Sequence, residues 1–255
     1  MDLLHAIILS IIEGITEFLP ISSTGHMILA GKLFNIPQTE FVKSFEVIIQ
    51  LGAILAVATI YIQTLLHNKK LWIPLLIAFL PTAVIGFTLY PLVKTVFLET
   101  PIITVISLFI GGIILLCFDR FHTTKATTTP STLTPKNALI IGLFQSVSII
   151  PGVSRAAATI VGGMLTGLSK VDAVEFSFLL ALPTMMAATG FDILKNYDVL
   201  IEGSIPILLV GFITAWVTAW ISVKTFLTYV KTHSFVVFGW YRILLAILFA
   251  CFVLR

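Results

Sequence analysis

Six apolar stretches, at residues 41–66, 71–93, 101–118, 171–193, 204–228 and 235–254, are each of the length at which a helix crosses a bilayer, about 20 residues with a range of roughly 17–25. In lipid, every backbone N–H and C=O must be satisfied within the segment, so such spans are helices. Composition closes the remaining options. With 58% hydrophobic and 11% charged residues over 255 positions and a mean hydropathy of +1.09, no separate water-soluble domain fits. The expected fold class is an all-α polytopic membrane protein, one membrane domain over 1–255. The net charge of +3 comes without a basic run, so no nucleic-acid partner is expected. Cys117 and Cys251 both sit in apolar runs and read as packing residues, not as a disulfide or metal ligands. Residues 1–20 lack a positive start and a small-residue cleavage site, so they read as mature structure.

Four shorter segments break the pattern. Residues 1–19 and 25–36 flank Pro20, and residues 136–150 and 156–168 flank Pro151. Proline lacks an N–H and clashes with the preceding turn, so each pair reads as a helix hairpin that enters the membrane and returns. Pro20 falls on Pro151, Ser23 on Ser154 and Phe45 on Phe176 at an offset of 131, and Ile73-Pro74 falls on Ile205-Pro206 at 132. These landmarks indicate an internal repeat: one half at 1–120, a Thr/Pro-rich linker at 121–135, the other half at 136–255. Each half holds one re-entrant hairpin and three transmembrane helices. Three is odd, so the halves lie in opposite orientations, an inverted-topology repeat with the broken segments meeting near the midplane. Gly162, Gly163 and Gly167 suit close helix packing, and small-residue faces of this kind permit a homodimer. One face then carries Lys69, Lys70, Arg120, Lys125, Lys136, Lys170, Lys224 and Lys231. The other has Lys43, Lys94, Lys195 and Arg255 among Glu40, Glu99, Asp198 and Glu202. The positive-inside rule makes the first face cytoplasmic and leaves both termini outside.

The chemistry is concentrated in residues 13–26. Glu13 and Glu17 are four apart, hence on one helical face, and carboxylates within apolar segments mark functional sites. Ser22-Ser23-Thr24-Gly25 offers donors for an anion and a hydroxyl to cap the next helix, with His26 in that helix's first turn. A Ser hydroxyl near a His or Glu base is an activated-nucleophile arrangement. If the halves converge, Arg155, after Pro151-Gly152-Val153-Ser154, joins this group, and its planar fork matches phosphate oxygens. Two carboxylates also suit a hard divalent cation, Mg²⁺ or Ca²⁺. Other readings stand beside these. Glu13 and Glu17 also read as a proton or cation site of a transporter, or as structural partners of Arg155. The Ser-Ser-Thr cluster alone is a helix cap, and His26 alone a hydrogen-bonded packing residue. Glu46 and Glu175 read as supports behind the site or helix–helix partners. Arg242, between Tyr241 and Ile243 and near Trp240, reads as a packing or interface anchor, and His5, His67, His122 and His233 carry no assigned role.

Glu13-x-x-x-Glu17-Phe18-Leu19-Pro20-x-Ser22-Ser23-Thr24-Gly25-His26 and Pro151-Gly152-x-Ser154-Arg155-x-x-x-Thr159 resemble the two motifs of the bacterial undecaprenyl-diphosphate phosphatases, also called bacitracin-resistance proteins. The resemblance spans the chain, including Phe45-Glu46-Val47-Ile48-Ile49-Gln50-Leu51-Gly52 and the segment 175–181. It implies hydrolysis of undecaprenyl diphosphate to undecaprenyl phosphate and inorganic phosphate, which recycles the lipid carrier for peptidoglycan, with a divalent metal, in the bacterial inner membrane. It implies Glu13 and Glu17 for metal binding and base work, Ser23 as nucleophile or phosphate-contacting donor, His26 as acid or base, and Arg155 as diphosphate clamp. Ser22, Thr24, Gly25, Gly152, Ser154 and Thr159 would bind substrate. One departure is Ala156, where the family commonly carries Ser. The rival expectation is a secondary transporter or lipid flippase, which an inverted repeat with broken helices serves equally well.

Overall fold

The computed structural model describes residues 1–92, 100–121, 127–195 and 204–253. Lys94, Glu99, Lys125, Asp198, Glu202 and Arg255, which bear on sidedness, and His122 lie outside them. Ten α-helices make up the described chain: α1 Leu3–Thr16, α2 Ser23–Leu33, α3 Glu40–His67, α4 Trp72–Leu92, α5 Pro101–Phe121, α6 Pro135–Val147, α7 Arg155–Leu165, α8 Lys170–Lys195, α9 Ile205–Val230 and α10 Val236–Val253. No strand occurs among the described residues, where the only bridge is the isolated pair Thr128 and Leu168. Among the described residues, five helical segments are long and apolar enough to cross a membrane: Glu40–His67, Lys69–Leu89, Pro101–Phe118, Lys170–Lys195 and Ile205–Val230. The sixth expected span, at 235–254, contains α10, whose apolar stretch Val236–Cys251 is shorter than those five among the described residues.

Side-chain caps set many of the helix starts, each satisfying a backbone N–H that has no partner in the first turn. The Asp2 carboxylate accepts from the His5 N–H at 2.8 Å, and that bond, with the nearby His5 ring, holds its pKa below the ordinary value. Thr39 caps α3 through the Val42 N–H, and Thr134 caps α6 through the Asn137 N–H. The helix ends depart from expectation at the prolines. Helix α1 stops at Thr16, with Glu17 as its C-cap, not at 19. The proline ring disfavours helical backbone at Leu19, and residues 17–21 form a turn instead. Helix α6 stops at Val147, ahead of Pro151, in the same way.

Helix α3 packs against α8 and along α9, and α9 also carries α1. On the other side α4 carries α6, while α5 and α10 pair. The largest buried cluster contains Phe18, Phe176, Phe178, Phe226 and Phe235, with Phe18 and Phe178 edge to face at 5.5 Å. Phe18 thus anchors the turn after α1 in the core. At one end of the bundle, residues 69–71 meet 130–132, and 130–132 meet α8. Thr128 bridges Leu168 there, and Lys170 Nζ donates to the His233 carbonyl at 3.0 Å.

The two turns that interrupt the short helices are built alike. Ser22 has φ 70° and caps α2 through the Gly25 N–H, and Ser154 has φ 74° and caps α7 through the Ala157 N–H. Left-handed backbone is uncommon for a residue bearing a Cβ, and both capped helices have 11 residues. The backbone therefore pairs Ser22, not Ser23, with Ser154, at an offset of 132. The second turn has one more residue between proline and cap, and Gly152 at φ 91° accommodates it. Ser23 and Arg155 become counterparts, each the first residue of its helix.

Candidate active site

A cavity of about 160 Å³ lies where the two turns meet, lined by Glu17, Ser22, Ser23, Thr24, Gln50 and Arg155 among others. The starts of α2 and α7 both border it, so two helix N-termini lend positive potential to one space. Glu17 stands between them. Its Oε2 accepts from Ser23 Oγ at 2.5 Å, and its Oε1 accepts from Arg155 Nη2 at 2.9 Å. The carboxylate and the guanidinium are both largely buried, where an ion pair is screened little by solvent. Arg155 is held further by Nη1 donating to the Ser177 carbonyl at 3.0 Å, by Met185 Sδ and by the Phe18 ring at 5.5 Å. Its Nε is buried without a hydrogen-bond partner among the described residues.

Glu13 lines a second, larger cavity of about 780 Å³, together with Thr24, Lys32, Lys43, Glu46 and Gln50 among others. Thr24 and Gln50 border both spaces. Glu13 is 1% exposed, and its Oε1 has no hydrogen-bond partner among the described residues, an arrangement that is costly unless a proton or cation answers it. As a hard oxygen donor beside Glu17, it fits Mg²⁺ or Ca²⁺. No cluster of three or more His, Cys, Asp or Glu suited to a metal occurs among the described residues. A cation here would therefore rest on two protein carboxylates, as Mg²⁺ does when phosphate oxygens and water complete its shell.

The remaining expected residues divide. Gly152 and Ser154 line the smaller cavity with Thr24 and Ser22. Gly25 and Thr159 line neither. The Gly25 N–H is taken by the Ser22 cap at 3.4 Å. Thr159 Oγ1 donates to the Arg155 carbonyl and contacts Ser177 Oγ at 2.6 Å, so it braces the first turn of α7 against α8. His26 also faces away. Its Nδ1 is 2.7 Å from the Ser22 carbonyl, and its Nε2 is 2.6 Å from Tyr241 Oη. Glu46 borders the larger cavity only.

Arg242 has a place that sequence reasoning missed. It is fully buried and donates to carbonyls of both turns: Pro20 at 3.2 Å, Gly152 at 2.8 Å and Val153 at 2.9 Å. The available signal was a lone guanidinium in an apolar helix, which needs buried partners wherever it lies. Gln50, in the middle of α3, had the same kind of signal.

Fold and site together define the class, a multi-pass helical membrane protein with a carboxylate, a hydroxyl and a guanidinium converging beneath two helix N-termini. Within that class the chain belongs to the bacitracin resistance protein BacA family, whose pattern matches residues 6–248. It is 48% identical over 251 residues to a protein of Aquifex aeolicus, covering 98% of both chains. It is 48% identical to one of Persephonella marina over the whole of both chains, and 47% identical to one of Wolinella succinogenes over 98% of this chain and 97% of that one. All three relatives bear the name undecaprenyl-diphosphatase.

Proposed function

We propose that this chain hydrolyses undecaprenyl diphosphate to undecaprenyl phosphate and inorganic phosphate. The observation that carries the reading is the Glu17 carboxylate shared between Ser23 Oγ and Arg155 Nη2 at the mouths of two helices. Ser23 is the nucleophile. Glu17 takes its proton as Oγ attacks the terminal phosphorus, the bridging P–O bond breaks, and undecaprenyl phosphate leaves. Water then attacks the phosphoseryl group, releases inorganic phosphate and restores the hydroxyl. Arg155 and the N–H groups of α2 and α7 hold the equatorial oxygens, whose charge they meet without reorganising. A divalent cation on Glu13 and Glu17 would neutralise phosphate charge when bound. Transport as the primary activity is not favoured, because relatives matched over nearly their full length are named for phosphate removal.

In the same reading the molecule is one membrane domain of two inverted halves, 1–120 and 136–255, each with a re-entrant hairpin. The matching left-handed caps at Ser22 and Ser154 support this. So does the crosswise packing, in which α1 rests on α9 of the second half and α6 on α4 of the first. The protein resides in the bacterial inner membrane with both termini outside the cytoplasm, and the lipid tail leaves sideways between helices. The test is phosphate release from undecaprenyl diphosphate in detergent with Mg²⁺ or Ca²⁺. Wild type turns over, whereas Glu17→Ala, Ser23→Ala and Arg155→Ala each lose about 100-fold or more. Near-full rates in all three sink the catalytic assignment.

A further inference from the structure

Arg242 is a cation buried completely among neutral groups. Among the described residues its hydrogen-bond partners are all main-chain carbonyls: Leu108 to Nε at 3.4 Å, Pro20 and Val153 to Nη1 at 3.2 and 2.9 Å, and Ser107 and Gly152 to Nη2 at 3.1 and 2.8 Å. A guanidinium has five N–H donors in a fixed plane, and every nitrogen here is engaged. Burying an unpaired charge is expensive, so this set of carbonyls offsets a large cost. The partners fall in three places: the turn before α2, the turn before α7, and α5. Pro20 stands three residues before Ser23, and Gly152 three before Arg155. Arg242 thus holds the turns that immediately precede Ser23 and Arg155, the two groups that Glu17 joins.

The surroundings are cut to admit it. A Cβ on Gly111 would run into the guanidinium itself, and one on Gly112 would crowd the Gly239 carbonyl at 2.8 Å and the Arg242 Cβ at 3.3 Å. The preceding residue of α10 reaches the same turn. His26 Nδ1 meets the carbonyl of Ser22, so Nδ1 carries the hydrogen and Nε2 accepts from Tyr241 Oη. Consecutive residues of one helix therefore hold the first turn at two points, and Arg242 alone also holds the second.

We infer that Arg242 is a positioning residue for the phosphatase: by tying the Pro20 turn to the Gly152–Val153 turn it sets the separation of the Glu17–Ser23 pair from Arg155. The inference rests on the proposed hydrolysis for its catalytic consequence but not for the tie itself. Lysine cannot replace it, since one ammonium does not span carbonyls arranged around a planar fork.

Two readouts test it on the full chain in detergent, in a Cys117→Ser/Cys251→Ser background where labels are used. The first is the distance distribution between spin labels at Leu33→Cys and Leu165→Cys, exposed ends of α2 and α7. It is narrow in the parent and broadened or displaced in Arg242→Lys and in Gly111→Ala, the latter keeping the charge but pushing the guanidinium off its carbonyls. The second is turnover per folded molecule. Arg242→Lys loses about 100-fold in kcat with KM little changed, as expected for misplacement of about 1 Å, and Gly111→Ala loses about tenfold on the same argument. Added guanidinium restores part of the kcat of Arg242→Ala, which a general loss of fold would not allow. An unchanged distance distribution in folded Gly111→Ala overturns the tie whatever the activity. Full kcat in folded Arg242→Lys or Gly111→Ala overturns the positioning role. A wild type that releases no phosphate, with labels that still separate in the variants, defeats the hydrolysis reading and leaves the tie standing.

Discussion

Both oxygens of the Glu17 carboxylate are committed, one to the Ser23 hydroxyl and one to the Arg155 guanidinium. A short hydrogen bond from serine to a carboxylate turns the hydroxyl's proton toward its acceptor, and the guanidinium fixes the carboxylate's orientation from the other side. The two contacts therefore act as one unit. Glu17→Gln keeps the shape but not the charge, and turnover falls by about 10²–10⁴, the usual worth of a positioned base. Groups that act as a unit are not additive, so Glu17→Gln/Ser23→Ala is no slower than the worse single variant. Multiplicative losses in the phosphate-release assay would mean that the two residues work independently. Glu17 and Arg155 were legible in the sequence, because carboxylates and an arginine are costly in apolar segments, whereas Ser23, readable alone as part of a helix cap, was singled out only by its motif. Arg242 was not, because Trp240 and Tyr241 beside it mimic an interfacial belt. Only the folded backbone shows that carbonyls of two distant turns converge on it. His26 looked like an acid or base by its motif, yet both ring nitrogens are spent on Ser22 and Tyr241.

At the scale of elements, the two short helix pairs meet at strained caps. Ser22 at φ 70° and Ser154 at φ 74° place a Cβ where L residues resist, while each hydroxyl satisfies a backbone N–H. These two effects separate by substitution. Ser22→Ala keeps the strain and loses the cap, at about 1 kcal/mol. Ser22→Gly removes the strain and loses only a few tenths for the cap, ~0.3 kcal/mol. In thermal unfolding in detergent, Ser22→Gly therefore melts above Ser22→Ala, and the reverse order would show that φ carries no strain. A second element prediction concerns Gly14, where α1 crosses α9. A Cβ there would meet Thr218 Oγ1, the Ala215 carbonyl at 2.7 Å and the Ala219 nitrogen at 2.8 Å. Two of those atoms are backbone and cannot swing away. Gly14→Ala lowers stability by about 1–3 kcal/mol, and adding Thr218→Ala does not restore it. Proline positions announced that the helices break, but not the register of the breaks. The turns differ by one residue, which an alignment on prolines conceals and a match of backbone caps reveals.

The spans were the most legible feature of the whole molecule, because length and hydropathy decide them without reference to tertiary contacts. How they are placed against one another was less so. Crosswise packing of α1 on α9 and α6 on α4 depends on small residues such as Gly14 and Gly142 meeting a particular partner backbone, and nothing local names that partner. Sidedness lies between these cases. Lys69 and Lys70 stand in the 3₁₀ turn 69–71, packed beside residues 130–132, and Lys170 reaches His233 at the same end. Lys43 belongs to the first turns of α3, and His67 is the last of that helix's 28 residues. At 1.5 Å per residue the two ends lie about 40 Å apart, enough to put them on opposite faces of a bilayer. Lys43 lines the larger cavity with Glu13, so that cavity reaches the end of α3 away from the lysine-rich turns. If those turns are cytoplasmic, the diphosphate is approached from outside. Single cysteines at Lys70, Lys136 and Lys231, in the Cys117→Ser/Cys251→Ser background, then react with a membrane-impermeant maleimide only in inside-out vesicles. Lys43→Cys reacts only in right-side-out ones. The opposite pattern would turn the protein over and place the mouth of the site in the cytoplasm. Reaction of Lys43→Cys and Lys70→Cys from one side would instead mean that α3 does not cross at all.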